Sequence, residues 1–342
     1  MKQLRMHGVN ELRLDDVEVP QVGPGDALIK VVAAGICGSD LNFLRQGYIG
    51  LPNTTPSPLG HELVGTVHTL GAQVKGLEAG QRVVIHPMKG RNRIGTGDSL
   101  HGGFAEYVLV RDAAVGESIF PIAEHLTYEH AVLVEPIAVG MHGLNKANAQ
   151  PEDRVVVLGA GPIGLGVVAA LQHRGIQDVI VVDIVEERLA RARELGASGT
   201  VNTAHQDLQG TLVQLLGTRK SKIARQPCVN ASLYIDCAGF APLLSQVFAH
   251  CSDNARILIL ATYKEPVPVD LAQLIIKEIA LIGSLSYPTE FTEVLDMLSG
   301  PGTVIEPMIS HSYPFEQFSE AFQIALDASQ SAKVVLRFDQ PA

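Results

Sequence analysis

Four side chains with the chemistry of metal ligands lie beside turns that glycine or proline marks in the sequence. Cys37 lies in GICGSD, His61 and Glu62 lie in LGHELVG, and Glu135 lies in VEPIAVG. A thiolate, an imidazole and a carboxylate suit Zn²⁺, and a catalytic zinc keeps one coordination position open. If Cys37 and Glu135 are ionised and His61 is neutral, a Zn²⁺ site is neutral and the ion remains a useful Lewis acid. Spacing alone does not distinguish this site from a structural histidine and a small buried cysteine.

A second pattern predicts a dinucleotide site. Residues 159–164 read GAGPIG, follow the apolar strand-like run RVVVLG and precede a helical pattern. In this fingerprint the first glycine allows a tight turn, the second lets the backbone approach a pyrophosphate, and the third lets helix and strand pack closely. Asp183 ends the next strand-like run, DVIVVD, and can accept hydrogen bonds from ribose hydroxyls. Because it would repel a 2′-phosphate, the pattern predicts NAD rather than NADP; the alternative is a glycine-rich turn that binds no nucleotide.

Further positions complete the predicted cofactor site. Arg188 follows Asp183 by about one helical turn, where it could affect cofactor choice or be a solvated helix charge. The predicted cofactor-binding residues are Gly159, Gly161, Pro162, Ile163, Gly164, Asp183, Arg188, Ala238, Leu260 and Ser284.

The elements that must position these residues form two groups. Roughly the first 145 residues are β-rich, with runs such as ALIKVVAAGI, GHELVGTVHTL, QRVVIHP and FAEYVLV between glycine and proline turns. From RVVVLG onward, strand-like runs alternate with helical patterns, which predicts a parallel sheet covered by helices on both faces. The expected fold class is therefore α/β, a doubly wound parallel sheet together with a β-rich domain.

Composition limits the classes of function. The chain has 342 residues, of which 46% are hydrophobic, and a formal net charge of −10. Two domains are expected at this length, and the negative charge disfavours nucleic acid and anionic membranes as partners. No long uninterrupted apolar stretch and no apolar N-terminal core are present, so a cytoplasmic protein is expected. The four cysteines, without a CxxC pair, favour a reduced compartment.

The motifs in their order resemble the zinc-containing medium-chain dehydrogenase/reductase superfamily across nearly the whole chain. They are GICGSDL, GHELVGTV, GGFAEYV, EPIAVGMH, VLGAGPIGL and VVD, and EPIAVGMH is similar to the sorbitol (polyol) dehydrogenase branch. The resemblance implies a GroES-like catalytic domain at 1–146 and 285–342 and a Rossmann NAD-binding domain at 147–284. It implies a catalytic zinc held by Cys37 and His61, with Glu62 and Glu135 binding it directly, through water, or alternately.

Two departures from the family pattern alter these expectations. Many members bind a structural zinc through four closely spaced cysteines, but residues 86–101 contain none, so one zinc per chain is predicted. The basic residues Lys89, Arg91 and Arg93 of this stretch form either a solvated loop or a subunit contact or anion-binding edge. Asn42 replaces a histidine that often ends the proton relay, and asparagine does not titrate near neutrality.

The implied activity is reversible, NAD-linked oxidation of a secondary alcohol, diol or polyol to the ketone. Ser39 is predicted to accept the proton of the alcohol and relay it to a cofactor ribose hydroxyl. Ser286 stands where the polyol branch usually has an arginine, and Phe43 replaces another common aromatic residue. The loss of an arginine and of a hydroxyl makes the predicted substrate pocket less polar, which favours a smaller or less hydroxylated substrate. If the substrate is a sugar phosphate, Arg45 is the main candidate for the cation that binds it.

Three alternatives remain open at this stage. One is a sugar-acid or sugar-phosphate 5-dehydrogenase of the same family. The second is a zinc-free reductase, and the third is a non-catalytic NAD-binding protein. Members of the family are usually dimers or tetramers, so a homo-oligomer is expected, with ARILILAT and IALIGSL as candidate edge strands.

Overall fold

The computed structural model describes residues 1–50, 56–97, 100–221 and 227–338. In chain order the strands are β1 (Lys2–Gly8), β2 (Glu11–Asp16), β3 (Ala27–Ile36), β4 (Ser57–Pro58), β5 (Glu62–Leu70), β6 (Arg82–Ile85), β7 (Tyr107–Val110), β8 (Ile119–Pro121), β9 (Arg154–Leu158), β10 (Asp178–Asp183), β11 (Gly199–Asn202), β12 (Thr218–Arg219), β13 (Cys228–Val229), β14 (Leu233–Asp236), β15 (Arg256–Ile259), β16 (Ala280–Gly283), β17 (Ile309–Pro314) and β18 (Lys333–Arg337). The α-helices are α1 (Gly38–Gln46), α2 (Tyr128–Ala131), α3 (Val134–Lys146), α4 (Pro162–His173), α5 (Glu186–Glu194), α6 (Leu208–Leu216), α7 (Ala241–His250), α8 (Leu271–Ile276), α9 (Phe291–Ser299) and α10 (Phe318–Leu326).

The chain divides into two compact units. One contains residues 1–135, 291–301 and 309–342, and the other contains residues 136–290 and 302–308. The first unit is therefore discontinuous in sequence. The domain limits that the family resemblance implies, 147–284 for the nucleotide domain, stay a prediction.

The first unit is built mainly on antiparallel β-structure, with β17 and β18 as a parallel pair. Its main sheet has the order β17-β18-β3-β5-β6-β8, with β7 also paired to β3, and a smaller sheet has the order β2-β1-β4. Apolar side chains from these strands, among them Leu4, Ile29 and Val83, form one core together with Phe104 from the connection before β7. Strand β3 is central, because it pairs with β5, β7 and β18. The end of β3 and the start of β5 consequently lie side by side, with Gly35 opposite Glu62.

The second unit has the predicted doubly wound architecture. Its described sheet has the order β11-β10-β9-β14-β15-β16, and each adjacent pair is parallel. Strand β9 is buried at Val155, Val156, Val157 and Leu158, as expected for a strand covered on both faces. The order reverses next to β9, and the glycine-rich segment follows β9 at this switch point. The predicted fold class, α/β with a doubly wound parallel sheet and a separate β-rich domain, is confirmed.

Candidate functional site

Cys37 lies between strand β3 and helix α1. It is the N-cap residue of α1 and has an extended backbone, with φ −91° and ψ 154°. Its backbone N–H donates to Asp40 Oδ2 at 3.0 Å. An acidic side chain in the first turn stabilises a helix start. The sulfur-bearing residue is therefore fixed by the helix that begins beside it.

Asp40 also fixes the segment that carries the imidazole. Its Oδ1 accepts a hydrogen bond from the Gly60 N–H at 3.0 Å, and the side chain is fully buried. Gly60 has φ +89°, and a Cβ there would lie 2.8 Å from the Phe104 ring. A glycine is required at this position both for its conformation and for the close contact. One buried carboxylate thus ties the loop before His61 to the turn after Cys37, and sequence reasoning missed it.

Three of the predicted ligands come together in the first unit. One possible ligand atom from each of Cys37, His61 and Glu62 lies within 4.8 Å of the others. His61 and Glu62 are 4% and 0% exposed. A thiolate, an imidazole and a carboxylate at this separation are the donor set that Zn²⁺ accepts. The residues therefore fit the metal that the sequence predicts.

The electrostatic setting of His61 favours positive charge. Its Nδ1 lies 3.5 Å from Asp40 Oδ1. Burial by itself would lower the pKa of the imidazole, but the negative charges of Asp40 and Cys37 outweigh burial and raise that pKa well above its ordinary value. The same field that stabilises an imidazolium also stabilises a bound cation.

Lys333, the first residue of β18, was not predicted as part of this site. Its Nζ donates to Glu62 Oε1 at 2.5 Å, to Glu62 Oε2 at 2.6 Å and to the Ile36 carbonyl at 3.1 Å. Burial disfavours the charged ammonium, yet Glu62 first and then Cys37 hold the pKa of Lys333 above its ordinary value. In sequence the residue is only the polar start of the strand-like run KVVLRF, which gives no signal of this role.

Glu135 lies in the first turn of helix α3 and is 5% exposed. The sequence places it at or just beyond a proline-marked turn, and in the structure it follows a turn at residues 132–133, with Pro136 as the third residue of a helix that starts at Val134. Proline is tolerated there, since the first backbone N–H groups of a helix have no partner within it. The negative charge of Glu135 also raises the pKa of Lys333. Its place among the zinc ligands stays a prediction.

Ser39 lies in the first turn of helix α1. Its hydroxyl oxygen is 3.3 Å from His61 Nε2. Asn42 and Phe43 follow on the same helix, and both are half-buried. The predicted relay hydroxyl therefore lies beside the predicted ligand imidazole, within reach of a group bound there.

The glycine-rich segment has the geometry that its fingerprint requires. Gly159 has φ +96°, and a Cβ there would lie 3.1 Å from Ala238. A Cβ at Gly164 would lie 1.9 Å from the Gly159 carbonyl oxygen. A Cβ at Gly161 would meet the Arg188 Nη1 at 3.7 Å, an ordinary contact. Gly161 is also the N-cap of α4, with Pro162 and Ile163 in its first turn. A Cβ at Gly161 would thus meet only the end of one flexible side chain, so the backbone at the N-terminus of this helix can be approached closely, as a pyrophosphate requires.

A cavity of about 570 Å³ adjoins this loop. The predicted residues Gly159, Asp183 and Ala238 contribute to its wall. Sequence reasoning missed the rest, which are Val182, Ile184, Thr203, Gln206, Asp207, Leu208, Phe240, Leu243 and Gln246. The volume and the mixture of apolar and polar groups suit an adenosine.

Asp183 is oriented by backbone donors. Its Oδ2 accepts from the Ala160 N–H at 2.6 Å, and its Oδ1 accepts from the N–H groups of Ile184 at 2.7 Å and Val185 at 2.9 Å. These bonds keep the carboxylate at the cavity wall. A fixed negative charge is therefore present where the fingerprint predicts it.

The two remaining predicted cofactor residues follow the next strands of the sheet. Leu260 directly follows β15 and its N–H donates to the Asp236 carbonyl, whereas Ser284 directly follows β16 and its N–H donates to the Ile259 carbonyl. The Ser284 Oγ is buried without a hydrogen-bond partner in the described residues. A buried hydroxyl of this kind has capacity for a ligand group at the carboxyl edge of the sheet.

Asp236, another residue that sequence reasoning missed, holds the loop beside this cavity. The carboxylate is 1% exposed and accepts from the N–H groups of Ala238 and Gly239, both at 3.0 Å. The Tyr263 hydroxyl donates to its other oxygen at 2.5 Å. Burial and this bond raise the pKa of Tyr263. The position of Ala238 against Gly159 therefore depends on the buried carboxylate of Asp236, two residues earlier in the chain.

The basic stretch between residues 86 and 101 is a folded loop in its described part. Arg91 forms an ion pair with Asp112, with Nε to Oδ2 at 2.6 Å. Asn92 is buried and hydrogen bonds to the carbonyls of Lys89 and Arg111. Residues 98 and 99 lie outside the described residues. The buried side chains of Asn92 and Ile94 stabilise this loop.

Both units match known protein families. The family description "Alcohol dehydrogenase GroES-like domain" matches residues 23–119, and "Zinc-binding dehydrogenase" matches residues 162–300. The chain belongs to the zinc-containing medium-chain dehydrogenase/reductase superfamily. The sorbitol dehydrogenase of Rattus norvegicus is 27% identical, over 98% of this chain and 95% of that protein. This similarity places the dehydrogenase in the polyol dehydrogenase-like branch, as the sequence predicted.

Solved structures agree with this assignment. An alcohol dehydrogenase from Escherichia coli in complex with NADH has a TM-score of 0.85, with 29% identity, and 99% of each chain is covered. The 2R,3R-butanediol dehydrogenase from Bacillus subtilis has a TM-score of 0.86, with 26% identity, and 99% of each chain is covered. The dehydrogenase is therefore an oxidoreductase of the class that acts on CH–OH donors. No helix among its described residues combines the length and apolarity needed to cross a bilayer.

Proposed function

We propose that this dehydrogenase uses one zinc ion per chain and NAD to oxidise a secondary alcohol, vicinal diol or polyol to the ketone, reversibly. The observation that carries the proposal is the convergence of Cys37, His61 and Glu62 within 4.8 Å in a member of a zinc-binding family. The names of its relatives, sorbitol and butanediol dehydrogenases, support the substrate class. The NADH complex of a similar alcohol dehydrogenase supports the cofactor.

The charges of the described residues favour one divalent cation. The Lys333 ammonium balances the Glu62 carboxylate. The buried Asp40 beside His61 and an ionised Cys37 and Glu135 would then leave an excess of negative charge, which a Zn²⁺ ion offsets. Bound zinc supplies a Lewis acid that makes an alcohol hydroxyl more acidic, and bound NAD accepts the hydride. Cys37, His61 and Glu62 would hold the metal, with Glu135 as the further predicted ligand.

Ser39 would then transfer the proton of the substrate alcohol. Its hydroxyl lies 3.3 Å from His61 Nε2, which places it beside the atoms that would hold the metal. A hydroxyl both accepts and donates, so it can receive the proton of the substrate alcohol and pass another to a ribose hydroxyl of NAD. Asn42 on the same helix can orient that chain of hydrogen bonds without titrating.

Replacement of Ser39 by alanine is expected to lower kcat by about 10²-fold, the lower end of the contribution of general acid–base catalysis. Zinc content should be unchanged, since Ser39 is not in the ligand set. Stopped-flow or steady-state measurement of NADH formation checks the rate, with elemental analysis for zinc. The Ser39→Thr protein keeps the hydroxyl and should keep most of the rate. If Ser39→Ala turns over as fast as the original protein, the relay is wrong.

Asp183 sets the cofactor preference in this proposal. Replacement of Asp183 by asparagine removes the charge and keeps one oxygen, which can still accept the hydrogen bonds from the Ile184 and Val185 N–H groups, while the bond from the Ala160 N–H is lost. The ratio of kcat/KM for NADP to that for NAD should rise by about tenfold or more, because a like charge near a 2′-phosphate costs at least about 1.4 kcal/mol. Asp178 lies at the opposite end of the same strand and pairs with Arg154 at 2.8 Å. Asp178→Asn is the matched control and should leave the ratio unchanged; an equal effect of both would contradict the role of Asp183.

The substrate remains a class rather than one compound. Ser286, where the polyol branch usually has an arginine, has φ +63°, so the segment before the buried Tyr287 is held in an unusual conformation. The test is a screen of secondary alcohols, diols, polyols, sugar acids and sugar phosphates by NADH absorbance, with and without a zinc chelator. Chelator-sensitive reduction of NAD by an alcohol supports the proposal. A purified protein that takes up no zinc would instead favour a zinc-free reductase or a non-catalytic NAD-binding protein.

The sheet edge formed by β16 supports a homo-oligomer. Strand β16 is an end strand of the described sheet and carries Leu281, which is 40% exposed, while Leu285 beyond it is 86% exposed. On helix α8, Ile275 is 72% exposed. Unprotected strand edges with apolar side chains are sites of strand pairing. A second copy that pairs at this edge would form a two-fold dimer.

Replacement of Leu281 by lysine is accordingly expected to shift the protein to a smaller species, since a charge at the edge prevents pairing. Size-exclusion chromatography with light scattering measures the mass. Leu215→Lys, at a 43% exposed position on helix α6, is the control and should keep the original mass. An original protein that is already monomeric would contradict the interface.

We also propose a cytoplasmic location, which cell fractionation tests.

A further inference from the structure

A fully buried ion pair lies directly behind the candidate zinc ligands. The Lys333 side chain is 1% exposed and the Glu62 side chain is 0% exposed. All three ammonium protons have acceptors, since Nζ lies 2.5 Å and 2.6 Å from the two Glu62 oxygens and 3.1 Å from the Ile36 carbonyl. Both oxygens of one candidate zinc ligand are thus engaged by a cation of the protein itself.

The backbone fixes Lys333 in this place. Strand β18 pairs antiparallel with β3, with Val334 opposite Ile36, and β3 in turn places Gly35 opposite Glu62. Lys333 therefore touches the residue that precedes Cys37 and the residue that follows His61. Its ammonium reaches both ligand-bearing segments from one anchored position. It cannot move away from Glu62 without losing hydrogen bonds in a buried environment.

A zinc ion bound to Glu62 would have to share the carboxylate with this ammonium. Each carboxylate oxygen can accept a second partner, so sharing is sterically possible. Two cations on one carboxylate repel each other, and in a buried site this repulsion is weakly screened. An ammonium on both oxygens also fixes the direction in which their remaining lone pairs point. The ion pair therefore affects how strongly, and in which geometry, Glu62 can bind the metal.

From this geometry we infer that Lys333 is a positioning residue that competes with zinc for Glu62 and keeps this carboxylate a releasable ligand. The inference rests on the proposed function, because it concerns the same metal. With Lys333 present, Glu62 returns to the ammonium when it leaves the metal, and no buried charge is left without a partner. Without Lys333, a released Glu62 would be a buried, uncompensated carboxylate near Cys37 and Glu135. Zinc would then hold it permanently.

The test is the zinc affinity of Lys333→Met, measured by competition with a chelator of known affinity. Methionine has nearly the length of lysine without its charge and fits a buried position. Zinc affinity is expected to rise about tenfold or more, within the range that partners of metal ligands exert. The rise in melting temperature on addition of zinc should become larger than in the original protein. The absorption bands of the cobalt-substituted protein should also change, because a tightly held Glu62 alters the coordination.

Two controls distinguish this role from a purely structural one. Lys277 is also buried and donates to the carbonyls of Phe248 and Ala249 in the other unit, so Lys277→Met should leave zinc affinity unchanged. In the Glu62→Gln background, Lys333→Met should no longer raise the affinity, since the carboxylate that is competed for is absent. Lys333→Gln, which keeps a donor for the Ile36 carbonyl, serves as the second variant if Lys333→Met does not fold.

The outcomes are separable. An unchanged or weaker zinc affinity in the Lys333 variants, with normal zinc binding by the original protein, overturns this inference and leaves the proposed function intact. An original protein that binds no zinc overturns both. A rise in affinity that persists in the Glu62→Gln background also overturns it, because the effect would then not pass through Glu62.

Discussion

Replacement of Cys37 by serine is expected to remove zinc and to lower kcat/KM by roughly 10³-fold or more. A metal that stabilises developing charge contributes several kcal/mol, and about 4 kcal/mol corresponds to 10³-fold. Serine has nearly the shape of cysteine, but its hydroxyl does not provide the thiolate that zinc prefers. Because Cys37 is the N-cap of α1 and serine is a good N-cap, the helix should keep its stability. Elemental analysis and NADH formation with the best substrate of the screen measure the two effects.

Cys251 provides the matched control for this prediction. Its thiol is fully buried in the core of the other unit, where Sγ lies 3.7 Å from the Phe248 carbonyl oxygen. Burial raises the pKa of this thiol to about 11, so it stays protonated and is a poor metal ligand. The Cys251→Ala protein should lose some stability through the lost packing and keep its zinc and its turnover. A Cys37→Ser protein with full zinc and normal turnover would refute the assigned metal site.

The nucleotide half of the molecule could be predicted from local patterns. The run DVIVVD is strand β10 (Asp178–Asp183), and the helix predicted after the glycine fingerprint is α4 (Pro162–His173), followed by Gly175 at φ +74°. These elements are encoded by short-range features, namely apolar runs, turn glycines and helix periodicity. The function of Gly164 in close packing was also readable, because the fingerprint specifies a contact between residues close in sequence.

Two of the residues that sequence analysis missed, Lys333 and Asp40, act through contacts between distant segments. Lys333 meets Glu62 only because β18 pairs with β3, a pairing of residues about three hundred positions apart in sequence. Asp40 was not singled out in the sequence, yet it accepts a hydrogen bond from the loop before His61. Long-range pairings leave no periodic signal in a single sequence.

The proline and glycine of VEPIAVG lie within a helix. The sequence places Glu135 at or just beyond a turn, and it does follow a turn at residues 132–133, but the segment itself begins helix α3 (Val134–Lys146). Proline in the first helical turn is a start signal, whereas proline later in a helix breaks it. Gly140 within α3 has a packing reason, since a Cβ there would lie 2.9 Å from the Val167 side chain. The same residue types therefore have opposite meanings at different positions of an element.

Two glycines of the fingerprint are expected to respond differently to the same substitution. A Cβ at Gly164 would lie 1.9 Å from the Gly159 carbonyl oxygen, a backbone atom that cannot rotate away. Gly164→Ala must therefore push helix α4 from strand β9 and should lower the free energy of unfolding by about 3 kcal/mol, as overpacking does at its upper range. A Cβ at Gly161 would meet the Arg188 side chain at 3.7 Å, so Gly161→Ala should cost only about 1 kcal/mol through the N-cap.

For cofactor affinity, Gly161→Ala is the variant expected to show the clear loss. The methyl group of Gly161→Ala would occupy the space through which a pyrophosphate approaches the helix N-terminus, so NADH affinity should fall about tenfold or more while the fold is retained. Urea unfolding and NADH fluorescence titration measure the two quantities on each variant. Gly25→Ala, where a Cβ meets nothing within 4 Å, is the control and should change neither. If Gly161→Ala binds NADH normally, the cofactor does not lie across this loop, and the cavity beside Asp183 would need another ligand.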